Sequence, residues 1–140
     1  MLRLYPNYTE MQSGLHRRLF FLLHDVGRDS EAVAELLKSL DEPKAAPLVA
    51  RIKASRDGFT DVVRIYVQDP IIAEWESHWN LALFQALLGD REQTLNHLQQ
   101  AYANHENEAS LLNADSHFDF VRDDPRFNAL LAKMNLNATR

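Results

Sequence analysis

The sequence predicts an all-α chain in which antiparallel helical hairpins stack side by side and a C-terminal helix caps the stack. Three observations lead there. Trp79 to Tyr102 reads as helix, glycine turn, helix. Gly27, Gly58 and Gly89 are each 31 residues apart, with similar residues at fixed offsets from them. The 140 residues are 46% hydrophobic with only four glycines, a balance weighted towards helix formers.

The hairpin at 79–102 is the clearest element. From Glu74 to Leu88, apolar side chains fall nearly all round a helix, so neighbouring helices must cover it on several sides. Gly89 ends it, because glycine enters the left-handed conformation without a steric penalty. Asp90 is placed to cap the second helix, with Gln93 three residues on. Leu95, Leu98, Ala101 and Tyr102 share one face of that helix, and Arg91, Glu92, Asn96, Gln99 and Gln100 share the other. So short a connection forces the two helices antiparallel.

The rest of the chain repeats this design with variations. Leu2 and Leu4 before Pro6 read as a helix end, and the chain as a piece of a longer protein. Leu15 to Val26 forms the next helix, with Leu15, Leu19, Leu22, Leu23 and Val26 on one side and Gly27 at its end. Asp29 is the expected cap of a helix carrying Val33, Leu36, Leu37 and Leu40. Pro47 suits the first turn of a middle helix running to about Arg56. Thr60 then caps a segment rich in valine and isoleucine. Strand propensity competes there, but the repeat decides for helix. Five residues past each glycine stand Ala32, Val63 and Thr94; nine past stand Leu36, Val67 and Leu98; eight before stand Leu19, Ala50 and Leu81. After Ser110 the repeat stops. Asp115, Phe118, Phe120 and Val121 form an irregular aromatic segment. Asp124-Pro125 opens a last helix with Phe127, Leu130, Leu131 and Met134 on its apolar face. The expected organisation is one domain, 1–140, with units at about 13–42, 45–70 and 73–105 and a capping segment at 110–136.

Charge and composition narrow the function classes. A net charge of −5 and a pI near 5.6 argue against direct contact with nucleic acid. No apolar run reaches the length that crosses a bilayer, so no membrane insertion is expected. The absence of cysteine rules out disulfides and thiolate metal sites. The expected location is cytoplasmic, or periplasmic if the parent protein is membrane-anchored.

These residues resemble the tetratricopeptide (TPR) repeat, a family of stacked helical hairpins. The third unit carries the resemblance in Leu81-Ala82, Gly89-Asp90, Thr94, Leu98 and Ala101-Tyr102; the first carries it in Leu19, Gly27, Ala32 and Leu36. Thr94 departs from the family's alanine, Gln85 stands where tyrosine is usual, and the period of 31 is shorter than 34. Residues 79–136 also look like the C-terminal TPR region of bacterial multidomain signalling and transcription-regulator proteins. Its tail pattern, Asp-Pro-Arg-Phe, stands at Asp124 to Phe127, with a worn copy at Asp115-Ser116-His117-Phe118.

The resemblance implies a concave groove lined by Arg17, Phe21, His24, Ile52, Arg56, Glu76, Trp79 and Leu83, suited to an extended peptide or partner surface. The bland reading of the apolar members is core. The six histidines show no metal-ligand spacing, and Asp41-Glu42 and Asp123-Asp124 sit at helix boundaries where acids cap. No cofactor, metal or catalytic role is therefore expected. The expected function is protein–protein interaction or regulatory scaffolding within a larger bacterial signalling protein. The rivals are a small-molecule or peptide sensor controlling an attached effector, and an oligomerisation module pairing copies of the chain.

Overall fold

A computed structural model of the chain describes residues 8–106 and 112–134. Among these, every regular element is helical and no strand occurs. The β-branched run Val62 to Val67 lies in a helix, as its place in the repeat predicts. The expectations on Leu2, Leu4 and Pro6 lie outside the described residues. The chain divides into two compact units, one reaching to Tyr66 and the other starting at Val67.

In the first unit α1 (Tyr8–Asp25) packs on α2 (Asp29–Lys38). Gly27 makes the turn at φ +83°. Its N–H donates to the His24 carbonyl at 2.9 Å and the Arg28 N–H to the Leu23 carbonyl at 2.8 Å, the paired bonds of a Schellman closure. Asp29 is not the cap of α2 but its first residue. Arg28 occupies the cap position and makes no side-chain capping bond. The Asp29 carboxylate instead accepts a 2.8 Å bond from His24 Nδ1.

The leucine row of α1 faces opposite to expectation. Leu15, Leu19, Leu22 and Val26 are exposed, while Phe20 and Phe21 are buried. This helix is apolar on two faces, and the aromatic face has more surface to remove from water.

The unit continues through a 3-10 turn (Pro43–Ala45), α3 (Ala46–Ala54) and α4 (Phe59–Gln68). Helix α3 stops at Ala54, and Ser55 is extended. Gly58, at φ +93°, therefore does not close α3. Its carbonyl accepts from Val62 N–H and starts α4. The Ser55 hydroxyl donates to Asp61 at 2.6 Å, tying the loop to the first turn of α4, where Thr60 is helical rather than a cap. With this longer loop, α3 and α4 are a looser pair than α1 and α2.

The second unit holds α5 (Pro70–Trp75), α6 (His78–Leu87), α7 (Arg91–Ala103), a 3-10 helix (Ser116–Val121) and α8 (Pro125–Lys133). The single helix expected from Glu74 is broken at Glu76-Ser77. Asp69 caps α5, and the Ser77 hydroxyl caps α6 by accepting from Asn80 N–H at 3.1 Å. Glu106 completes that start from the far end of α7, accepting from His78 N–H at 3.1 Å and Trp79 N–H at 2.9 Å.

Helices α6 and α7 form the tight antiparallel pair that Gly89 predicts, at φ +71°, and Asp90 caps α7 through Gln93 N–H. The 3-10 helix packs on α6 and α7, and α8 on α7. Trp79 meets Phe118 edge to face at 5.1 Å.

Repeat position five is core in all three copies: Ala32, Val63 and Thr94 are fully buried. The position eight residues before the glycine is not, since Leu81 is buried but Leu19 and Ala50 are exposed.

Candidate partner-binding cleft

In the first unit, α2, α3 and the start of α4 leave an open cleft of about 360 Å³. Its construction follows from side-chain size. Along α2, Ala32 and Leu36 enter the core, while Val33 and Leu37, at the edge of the same apolar stripe, remain partly exposed. They form one wall. Ile52 of α3, Phe59 and Val62 supply the floor and opposite wall, with Asp29, Ser30, Lys53 and Ser55 around the rim.

An aromatic column holds the α4 side. The His24 ring lies parallel to Phe59 at 4.1 Å, and Phe59 stacks on Phe20 at 5.3 Å. Since His24 also donates to Asp29, one imidazole braces two lining residues. A second depression of about 490 Å³ runs along the outer face of α3 past Pro43, Ala46, Val49 and Ala50, and Lys53 lines both. The lining combines an apolar floor, the exposed Lys53 cation at the junction and hydroxyls at the edge.

Five of the eight sequence-predicted groove residues fall in the first unit and three in the second. Ile52 is 3% exposed yet lines the cleft. Arg56 is exposed on the loop between two lining residues, Ser55 and Gly58. His24 is part-buried against Phe59; Arg17 is part-buried, and Phe21 is buried. In the second unit Trp79 is packed on Phe118, Leu83 is buried, and Glu76 is buried with Asn80 Nδ2 donating to it at 3.0 Å. Sequence reasoning missed Val33, Leu37 and Phe59. The available signal was their place at the margin of an apolar stripe, which periodicity alone does not separate from its centre.

Elsewhere the titratable groups pair across elements. His16 Nδ1 donates to Glu35 at 2.7 Å, joining α1 to α2. Hydrogen bonds from Lys38 and His16 hold the Glu35 carboxyl below its usual range. His117 donates to Asp115 at 2.7 Å; burial pushes the Asp115 carboxyl up, but the His117 side-chain and backbone bonds bring it down overall. These carboxylate partners, drawn from α2 and from a cap, give histidines structural roles that sequence spacing did not reveal. No three metal-ligating side chains gather among the described residues.

The Asp123-Asp124 pair is a helix start. Asp124 accepts from Arg126 N–H at 2.9 Å as N-cap of α8, with Pro125 behind it, and hydrogen bonds from Arg126 hold its carboxyl far below the usual range. Asp115 caps the 3-10 helix the same way, accepting from His117 N–H at 2.9 Å, and Phe118 and Phe127, three residues past each aspartate, are fully buried. The two copies of the tail pattern therefore have matching caps and anchors. No described helix is long and apolar enough to cross a membrane.

Comparison of the chain with known protein families, with curated proteins and with solved structures finds no match.

Proposed function

We infer that this chain is a non-catalytic protein-interaction module, a TPR-like stack of helical hairpins serving regulation within a larger bacterial signalling or transcription-regulatory protein. The observation that carries the reading is the open cleft of the first unit, apolar at its floor and polar at its rim. Such a surface suits an extended peptide that buries one apolar side chain against Val33, Leu37 and Phe59 and sets an acidic group beside Lys53 and Arg56. The common burial of Ala32, Val63 and Thr94 supports the repeat, and the paired Asp115 and Asp124 caps support the likeness of the tail.

The test is selection of short peptides from a random library on residues 1–140, followed by NMR mapping of those that bind. Peptides with an apolar anchor next to Asp or Glu should shift resonances of Val33, Leu37 and Lys53. Val33→Asp and Lys53→Glu should each weaken them about tenfold or more. Selected peptides that shift only residues of α6 to α8, or that ignore both substitutions, would sink the assignment.

A further inference from the structure

Asp57-Gly58 is the only Asp-Gly pair in the chain, and no Asn-Gly pair occurs. It lies on the loop between α3 and α4, where both residues are exposed. Neither the Asp57 carboxylate nor the Gly58 N–H has a hydrogen-bond partner among the described residues. Gly58 stands at φ +93°, and a Cβ built on it meets nothing within 4 Å. A side-chain carboxyl and the backbone nitrogen that follows it are thus both unengaged and unshielded. Closing one on the other makes a five-membered ring.

The fold withholds that combination from every other aspartate. The amides after Asp25, Asp41, Asp61 and Asp123 already donate to main-chain carbonyls at 2.8 to 3.2 Å. Asp69 and Asp124 precede proline, which has no N–H to react. The carboxylates of Asp29, Asp90, Asp115 and Asp119 accept hydrogen bonds of 2.6 to 3.0 Å. Asp57 is also the one aspartate whose successor has no side chain to obstruct the approach.

We propose that Asp57-Gly58 is a site of spontaneous main-chain modification, at which aspartate converts to isoaspartate through a succinimide. The Gly58 nitrogen adds to Cγ of the protonated Asp57 carboxyl. The N–Cγ bond forms, the Cγ–OH bond breaks, and the hydroxyl leaves with the amide proton as water. A second water then opens the ring. Attack at Cγ restores aspartate. Attack at the main-chain carbonyl breaks its bond to the Gly58 nitrogen, which takes a proton, so the peptide link now runs through Cγ and an α-carboxylate is freed. Water is the only co-reactant. The product lengthens the main chain by one carbon just before Gly58, whose carbonyl accepts from Val62 N–H at 3.2 Å to start α4 and which lines the cleft. The inference goes beyond the peptide reading and stands without it, since the reaction needs no ligand.

The experiment is storage of residues 1–140 at neutral pH over several weeks, one portion folded and one unfolded in guanidinium chloride. Samples are digested, and isoaspartate is located by fragment masses and by methyl transfer from an isoaspartyl carboxyl methyltransferase. In the folded chain, isoaspartate at position 57 should exceed that at every other aspartate several-fold. Asp29 and Asp115, each followed by serine, should gain it only in the unfolded portion. Asp57→Glu should abolish methyl acceptance by the folded chain, because glutamate would have to close a six-membered ring. Its far-UV circular dichroism spectrum should be unchanged, because the side chain it replaces is exposed. Absence of isoaspartate at 57 in the folded chain, an even spread over the aspartates, or methyl acceptance undiminished in Asp57→Glu would each overturn the proposal.

Discussion

Arg126 meets Glu92 through two parallel hydrogen bonds of 2.8 Å each, clamping the first turn of α8 to the first turn of α7. The same guanidinium donates to the Asp124 cap, and Arg91 reaches Asp124 and the Phe120 carbonyl. Arg126→Lys should therefore behave nearly as Arg126→Ala, because an ammonium cannot reproduce the planar fork. Both should speed amide exchange in α8 several-fold while leaving α2 unaffected.

The same clamp has an acid signature. Arg126 lowers the Glu92 and Asp124 carboxyls from their ordinary 4.5 and 3.8. Stability from a depressed carboxyl is present above its unfolded pKa and is lost as pH falls below it. In Arg126→Ala, unfolding followed by circular dichroism should fall less steeply below about pH 4.5 than in the unaltered chain.

Thr94 stands where the repeat places Ala32 and Val63, and its buried hydroxyl has no hydrogen-bond partner among the described residues. Removing an unsatisfied hydroxyl while keeping the side-chain shape removes a desolvation penalty. Thr94→Val should stabilise the chain by about 1 kcal/mol in urea unfolding. Destabilisation by the same substitution would show that the hydroxyl has a partner after all.

What was legible in the sequence was local. The caps at Asp90 and Asp124 and the turns at Gly27 and Gly89 depend on residues within one helical turn of themselves, and each is where its sequence predicts. What was not legible depends on a distant partner or on a choice between faces. The start of α6 is set partly by Glu106, 28 residues beyond His78. The orientation of α1 turns on two apolar faces competing for one core. The groove set fails to separate from the core for a related reason: apolar periodicity marks Trp79, Leu83 and Ile52 as facing protein without saying whose. The charged member of that set on the loop, Arg56, is exposed because no such ambiguity attaches to it.

Helix ends give opposite predictions from one geometry. Gly27 and Gly89 have positive φ and a Cβ added to either meets nothing within 4 Å, so the penalty for alanine is backbone strain alone. Gly27→Ala and Gly89→Ala should each cost about 1 kcal/mol. His105 closes α7 with the same two bonds, to Tyr102 and from Glu106 to Ala101, at φ +56°. His105→Gly relieves that strain and should be neutral to stabilising by up to about 1 kcal/mol, less what glycine adds to unfolded-chain entropy. Urea midpoints of the three variants check the signs.

Within the second unit, His78 and His97 face each other with Nδ1 atoms 3.0 Å apart and rings 5.3 Å centre to centre. One nitrogen must donate and the other accept, so the contact requires at least one neutral ring. Burial lowers the proton affinity of His97, the His78 charge lowers it further, and Glu106 partly opposes both. A histidine whose folded pKa lies below its unfolded 6.5 binds more protons when unfolded. Stability from the neutral form is therefore complete above that value and declines as pH falls through it towards the folded pKa. The urea midpoint should be flat above about pH 7, fall as the pH drops through 6.5, and fall less in His97→Gln as the pH drops. This window lies above the carboxyl range, so the histidine and Arg126 variants should flatten separate parts of one stability curve. Superimposable curves for His97→Gln and the unaltered chain below about pH 7 would mean that folding does not disfavour the protonated His97 ring.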